Sequence, residues 1–254
     1  MQTETQFAGK VVVVTGGSQG VGFGISRAFL NEGCAVVSCA RKPFDHHPAA
    51  ATDSERLRSM HVQADIRDDN QIDRVIADTL ERFGRLDVLV NNAGGQPPVD
   101  IATASPRFIK AIIELNLTAP LVFATKAYNV MATQESGGSI INISSQASMP
   151  GGSGGSLTPY GAAKAGLNHM TRSLAVAWGR KVRVNCVSLG WVETEAMADL
   201  LLPENHDQWQ ATTNRIPVGR MGTPEEIGHI CTFLASDAAT YINGATIWAD
   251  GGGT

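Results

Sequence analysis

Charge is scarce in this sequence of 254 residues: Asp, Glu, Lys and Arg make up 17%, below the roughly 25% usual in proteins. Lys and Arg number 20 against 24 Asp and Glu, a formal net charge of −4, so no basic surface advertises nucleic acid. Cysteine is equally thin. Cys34, Cys39, Cys186 and Cys231 lie far apart and no CxxC or HExxH occurs, so neither a zinc site nor a disulfide framework is expected. His46-His47 sits in a polar stretch and reads as solvated surface. No continuous apolar run approaches the ~20 residues of a membrane span, and MQTETQFAGK lacks the basic and apolar regions of a signal peptide. These absences lead to the expectation of a reduced, cytoplasmic protein with no metal, no nucleic-acid partner and no membrane association. Apolar residues, by contrast, reach 43%, ample for a core, and 27 glycines without periodicity imply tight turns and close backbone approaches rather than collagen.

Short apolar runs alternate with helical patterns along the chain. Lys10–Thr15 reads as a strand buried on both faces, because it is apolar without alternation. A helix over Gly22–Gly33, a strand at Ala35–Cys39 and a short strand at His61–Ala64 follow. Asn70–Phe83 is helical, with Ile72, Val75, Ile76, Thr79 and Leu80 at helix spacing. Leu86–Asn91 is a fourth strand and Pro106–Met131 one long helical pattern or two segments. Ser139–Ser144 is a fifth strand, Tyr160–Gly179 a helix and Val182–Val187 a sixth strand. Thr223-Pro224-Glu225-Glu226 opens a helix to Ala235 with a cap, an N1 proline and early carboxylates. Thr246–Ala249 is the last strand. Strands separated by helices mean βαβ units with right-handed crossovers. The expected fold is therefore α/β: a single domain over 1–254 with a doubly wound parallel sheet, Rossmann-like, of about seven strands with helices on both faces. Pro150–Thr158 is rich in Gly and Ser, yet lies between a strand and a helix of one sheet, so it reads as a loop over an active site. Gly151–Gly155 matches GxSxG by accident, lacking the strand-to-helix turn and the later Asp/His pair of a hydrolase.

The first strand runs into Thr15-Gly16-Gly17-Ser18-Gln19-Gly20-Val21-Gly22 and then a helix. Glycines there let the backbone turn and approach a pyrophosphate, and the helix N-terminus offers free N–H groups to an anion. Tyr160 and Lys164 stand at i, i+4 on one helix and share a face. An ammonium beside a phenol favours the phenolate, so Tyr160 is a candidate general acid/base. Ser145 ends the fifth strand, where its hydroxyl can hold a substrate oxygen beside Tyr160.

With Asp65, Asn91-Asn92-Ala93-Gly94, Asn116, Ser144-Ser145, Tyr160-x₃-Lys164, Val192-x-Thr194 and Ala249-Asp250-Gly251-Gly252, the chain resembles the short-chain dehydrogenase/reductase family over nearly its full length. The resemblance implies a nicotinamide-dependent oxidoreductase, a homotetramer or homodimer, acting on a small carbonyl or alcohol substrate. It implies catalytic roles for Asn116, Ser145, Tyr160 and Lys164. It implies cofactor contacts from Gly16, Ser18, Gln19, Gly20, Val21 and Gly22, from Asp65 and Ile66, from Asn92, Ala93 and Gly94, from Tyr160 and Lys164, and from Val192 and Thr194. Asn91–Gly94 would line the adenosine side and brace the central strand. Asp65 would meet the adenine amino group; capping the next helix is its other reading. Asn116 would distort its helix and position a water that relays protons to Lys164.

Two departures matter. The family usually places two fewer residues between the serine and the tyrosine than the 14 here, residues 146–159, so an insertion within Ala147–Thr158 is expected, with Ser148 as the alternative serine. Leu189-Gly190 stands where the family has Pro-Gly, which predicts a less rigid turn. The stretch 193–220 is read as a lid, with Met197, Leu200, Leu201, Leu202 and Trp209 facing an apolar substrate, and Met149 and Trp191 near the same cleft. Such a lining suits a largely apolar ketone or secondary alcohol, such as a 3-oxoacyl thioester or a ketosteroid. Enoyl reductases of this fold usually separate tyrosine and lysine more widely. No carboxylate lies between Glu32 and Asp45, where an NAD-binding chain places one, and Arg41 and Lys42 stand there instead. NADP(H) is therefore the expected cofactor, with Arg41 gripping its 2′-phosphate. The alternatives are an NAD(H)-dependent alcohol dehydrogenase of the same family and a catalytically silent nucleotide-binding protein.

Overall fold

A computed structural model of the protein describes residues 7–152, 155–195, 197 and 206–253. Ser153 of the Gly151–Gly155 run and Leu200, Leu201 and Leu202, singled out in the sequence, lie outside these residues, as do residues 1–6. Seven strands form one parallel sheet: β1 (Val11–Thr15), β2 (Ala35–Ala40), β3 (Ser59–Gln63), β4 (Val88–Asn91), β5 (Gly138–Ser145), β6 (Val182–Leu189) and β7 (Thr246–Ala249). Their order is β3-β2-β1-β4-β5-β6-β7, which reverses direction between β1 and β4 and opens a crevice there.

The unbroken valines of β1 serve both faces. Val12 and Val14 pack with α1 (Gly20–Asn31) and α8 (Pro224–Ala235), through Ile25, Phe29, Ile227 and Leu234. Val13 packs on the other face with α3 (Asp69–Phe83) and α5 (Ala119–Met131), through Ile72, Val75, Phe123 and Ala127. The remaining helices are α2 (Asp53–Leu57), α4 (Pro106–Ile113), α6 (Thr158–Trp178) and α7 (His206–Thr213). The short α2 and α7 were not anticipated.

Pro106–Met131 is not a continuous apolar run, since Arg107, Lys110, Glu114 and Lys126 interrupt it, but it is long and apolar enough by length and composition to cross a membrane. Its apolar side faces the sheet, where Ala119, Phe123, Ala127 and Met131 are buried. The stretch is not one regular helix: Glu114–Thr118 is a π turn between α4 and α5.

One expectation fails outright. His47 is buried at 2% exposure, whereas His46 is exposed. The Ala49 amide donates to His47 Nδ1 at 3.1 Å, so the ring proton of the neutral form sits on Nε2, which has no hydrogen-bond partner among the described residues. Burial, helped by nearby His61, pushes the His47 pKa down to about 4. The polar run around it suggested solvent, but Ala49 belongs to the core beside Phe7 and Phe29 and carries the histidine inward.

Candidate functional site

A cavity of about 1010 Å³ lies along the C-terminal ends of β1, β2, β4, β5 and β6. Every expected cofactor residue lines it, from Gly16 and Ser18–Gly22 through Arg41, Asp65 and Ile66 to Asn92–Gly94, Val192 and Thr194. Ser145, Tyr160 and Lys164 line its other end.

The glycine turn is built for close approach. Gly20 opens α1 at φ +51°, a left-handed conformation that favours glycine, and a Cβ on Gly22 would collide with the Gly16 carbonyl oxygen. Thr15 joins this turn to the neighbouring loop: its Oγ1 accepts from the Asn92 and Ala93 amides, both at 2.9 Å. Asn92 Nδ2 donates back to the Thr15 carbonyl at 2.9 Å. Gln19 caps α1 without a side-chain hydrogen bond, and the Gly20 amide donates instead to Glu195 Oε2 at 3.1 Å.

Arg41 and Lys42 are exposed at the adenosine end. Arg67, which the sequence reading missed, joins them and pairs with Asp65 at 2.5 Å. The Arg67 hydrogen bond holds the Asp65 carboxyl below its usual range. The capping reading of Asp65 is wrong: Asp68 caps α3, accepting from the Asn70 amide at 3.0 Å. Only adjacency to Asp65-Ile66 marked Arg67 in the sequence.

At the opposite end Lys164 is buried, and its Nζ donates to the Ile143 carbonyl at 2.7 Å. Burial pushes the Lys164 pKa down to about 8. Its Nζ lies 5.5 Å from the centre of the Tyr160 ring. Ser145 hydrogen-bonds the Tyr160 hydroxyl, yet burial dominates and raises the Tyr160 pKa. The direction is opposite to the lowering expected from the neighbouring ammonium. Gln96 reaches across to this helix: the Tyr160 amide donates to its Oε1 at 3.1 Å, and its Nε2 donates to the Ser156 carbonyl at 2.8 Å. Loop 95–101 is thereby tied to the loop carrying the extra residues.

Asn116 does not line the cavity. It is buried at the centre of the π turn behind Gly94 and Gly95. Its Oδ1 accepts from the Gly95 amide at 2.8 Å, and its Nδ2 donates to the Ile112 and Gly95 carbonyls at 2.9 and 3.1 Å. Ser148 faces elsewhere, accepting from Asn168 Nδ2 at 3.0 Å, which leaves Ser145 as the serine beside Tyr160.

The turn after β6 is held more firmly than expected of Leu189. Leucine carries β6 on to pair with Ser145 on one side and Ala249 on the other. The Gly190 amide then donates to the Ala249 carbonyl at 3.0 Å. Beyond it, Val192 bridges Gly222, with Glu193 N–H to Gly222 O and Gly222 N–H to Trp191 O both at 2.9 Å. This bridge closes the stem of the 193–220 stretch. Trp191 and Met197 line the cavity, whereas Met149 is exposed outside it and Trp209, on α7, is not part of the lining.

Residues 16–254 match the family described as enoyl-(acyl carrier protein) reductase. The chain is 34% identical to an L-fucose dehydrogenase of Oryctolagus cuniculus over 99% of its own length and 87% of that protein. It is 34% identical to a probable 2,4-dienoyl-CoA reductase of Bacillus subtilis (strain 168), over 96% of each. Among solved structures, a short chain dehydrogenase from Bacillus anthracis str. 'Ames Ancestor' superposes with a TM-score of 0.82 at 31% identity, covering 96% of each chain. A glycine turn facing a Tyr–Lys helix across one cavity, together with these matches, shows that the chain belongs to the short-chain dehydrogenase/reductase family of NAD(P)-dependent oxidoreductases, enzymes of alcohol and carbonyl substrates.

Proposed function

We propose that the protein is an NADP(H)-linked dehydrogenase/reductase that interconverts a ketone and a secondary alcohol on a largely apolar body. The observation that carries this reading is the convergence of Tyr160, Ser145 and Lys164 at one end of a cavity whose far end holds Arg41, Lys42 and Arg67. The residues present fit a dinucleotide. The glycine turn leaves backbone amides at the middle of the cavity, cations stand at the adenosine end, and the one carboxylate there, Asp65, is already paired.

When bound, the nicotinamide supplies or accepts the hydride. The Tyr160 hydroxyl donates its proton to the carbonyl oxygen in reduction and recovers it from the alcohol in oxidation. The Ser145 hydroxyl holds that oxygen in place. The Lys164 ammonium stabilises the phenolate when it forms, a contribution that fades as pH rises past about 8, where Lys164 loses its proton. Asn116 keeps Gly94–Gly95 and the π turn in register behind Lys164. Trp191, Met197 and Leu189 supply apolar lining for the substrate body.

Of the large apolar side chains left exposed among the described residues, five fall on two faces, Leu121 and Val176 on α5 and α6, and Phe233, Trp248 and Tyr241 on α8, β7 and the turn before β7; Phe23, Leu57, Ile101, Met149, Trp191 and Val218 lie elsewhere. Two such faces support a homotetramer of two-fold interfaces. Four buried, unpaired cysteines suit a reducing, cytoplasmic setting.

The test is a panel of ketosteroids, 3-oxoacyl thioesters, sugars, simple secondary alcohols and 2-enoyl thioesters, read by absorbance of the reduced nicotinamide, for wild type and Tyr160→Phe. The expected result is turnover of a carbonyl or alcohol substrate and a loss of about 100-fold or more in kcat on removing the hydroxyl. Turnover of the enoyl thioesters alone, or a variant keeping more than about a tenth of wild-type kcat, overturns the assignment.

A further inference from the structure

The N-terminal end of α1 already holds an anion, and that anion belongs to the protein. Gly20 is the first residue of α1, and its amide is one of the free N–H groups that a helix start presents to negative charge. The carboxylate of Glu195 takes it at 3.1 Å, in an exposed position on the cavity wall. Neighbouring Thr194 lies against the same turn, its Cγ2 3.4 Å from where a Cβ on Gly20 would be. Among the described residues the Glu195 carboxylate forms no ion pair, and the Gly20 amide is the group it accepts from. Glu195 stands just past the Val192–Gly222 bridge.

We propose that Glu195 sets the affinity for the dinucleotide by occupying the Gly20 amide until the pyrophosphate displaces it. This rests on the dinucleotide reading above. One N–H cannot serve two anions, and a carboxylate left beside the pyrophosphate repels it. The contact therefore stabilises the cofactor-free protein and opposes binding.

These two effects have opposite signs, which separates the proposal from a purely structural role. Kd for NADPH and NADH is measured by fluorescence titration of the full-length protein, wild type, Glu195→Gln and Glu193→Gln, at low and high salt. Melting temperatures are recorded with and without dinucleotide. Glu193 is exposed and carries the same charge two residues away, so it controls for simple loss of negative field. Expected for Glu195→Gln are a Kd about threefold to tenfold tighter at low salt, a gap that narrows at high salt, and a cofactor-free protein that melts lower by about 1–3 °C while its cofactor-induced rise grows. Glu193→Gln should leave Kd within about twofold. Unchanged or weaker binding in Glu195→Gln, or equal tightening in both variants, overturns the proposal. A wild type that binds neither dinucleotide sinks the cofactor reading itself, an outcome distinct from either.

Discussion

Acidification should destabilise this protein well before its carboxylates protonate, and His47 is the reason. The folded protein holds His47 neutral with a pKa of about 4, against 6.5 when solvated, because the ring is buried and His61 stands nearby. A base whose pKa is depressed on folding binds its proton in the unfolded chain first. The unfolded state therefore carries more protons between pH 6.5 and 4, and stability falls as pH drops through that window. With those two values, lowering pH to about 5 costs about 2 kcal/mol, and the full window about 3 kcal/mol. The paired carboxylates act lower: Glu55 and Glu226, held near 2 chiefly by Arg27 and Arg220, lose their contribution only below their usual 4.5. Half-buried His61, also depressed by burial, adds in the same direction. The perturbation is His47→Asn, which keeps an acceptor near Ala49 but cannot titrate. Urea unfolding at one fixed protein concentration, from about pH 7.5 to about pH 5, should show wild type losing about 2 kcal/mol more than the variant. The comparison is of slopes, since the variant starts lower through lost packing. Parallel curves would mean that the ring is protonated in the folded protein, and would refute the burial argument.

Three further outcomes are expected. Ser145→Ala should lower kcat far more than Ser148→Ala, because Ser145 bonds the Tyr160 hydroxyl while Ser148 is occupied by Asn168; the reverse order would put the extra residues on the other side of the serine. Arg41→Ala should weaken kcat/KM for NADP(H) by roughly 10–150-fold, about 1.5–3 kcal/mol for one charge-assisted contact, and leave NAD(H) nearly unchanged; a wild type that prefers NAD(H) removes Arg41 as the discriminator. Light scattering at micromolar concentration should give the mass of four chains, and a monomer would leave exposed Val176 and Tyr241 without a partner.

How much of this was legible in the sequence depended on whether the cause was local. β1 read correctly because a strand covered on both faces is a continuous apolar run, and α8 because its cap, N1 proline and early glutamates adjoin one another. The short α2 carries a Thr52–Glu55 capping box, but five residues give no apolar period. It is held by Arg27, 2.7 Å from the buried Glu55 and far away in sequence. Glu195 and Gln96 were invisible for the same reason: each acquires its meaning from a partner on another loop. His47 and Leu189 went wrong through composition and analogy, where the structure answers with a buried loop and a strand that runs further.

The functional end of α6 is aimed by residues that take no part in chemistry. Positions 160, 164, 167 and 171 recur on one face of the helix. Leu167 and Thr171 of this stripe are fully buried and Lys164 nearly so, and the stripe then surfaces into the cavity at Tyr160. A buried polar chain fixes its rotation: Asn91 Nδ2 donates to Asn142 Oδ1 at 2.9 Å, and Asn142 Nδ2 donates to Thr171 Oγ1 at 2.9 Å. Asn91 and Asn142 are paired across β4 and β5, so the chain exists only in that register, and a slip of one residue would turn both amides to the wrong face. Burying three polar side chains costs stability unless each finds a partner, which penalises every alternative packing of α6 more heavily than the native one. A helix held by apolar contacts alone could rotate by a fraction of a turn at little cost. This one cannot, and Lys164 and Tyr160 inherit the constraint from Thr171.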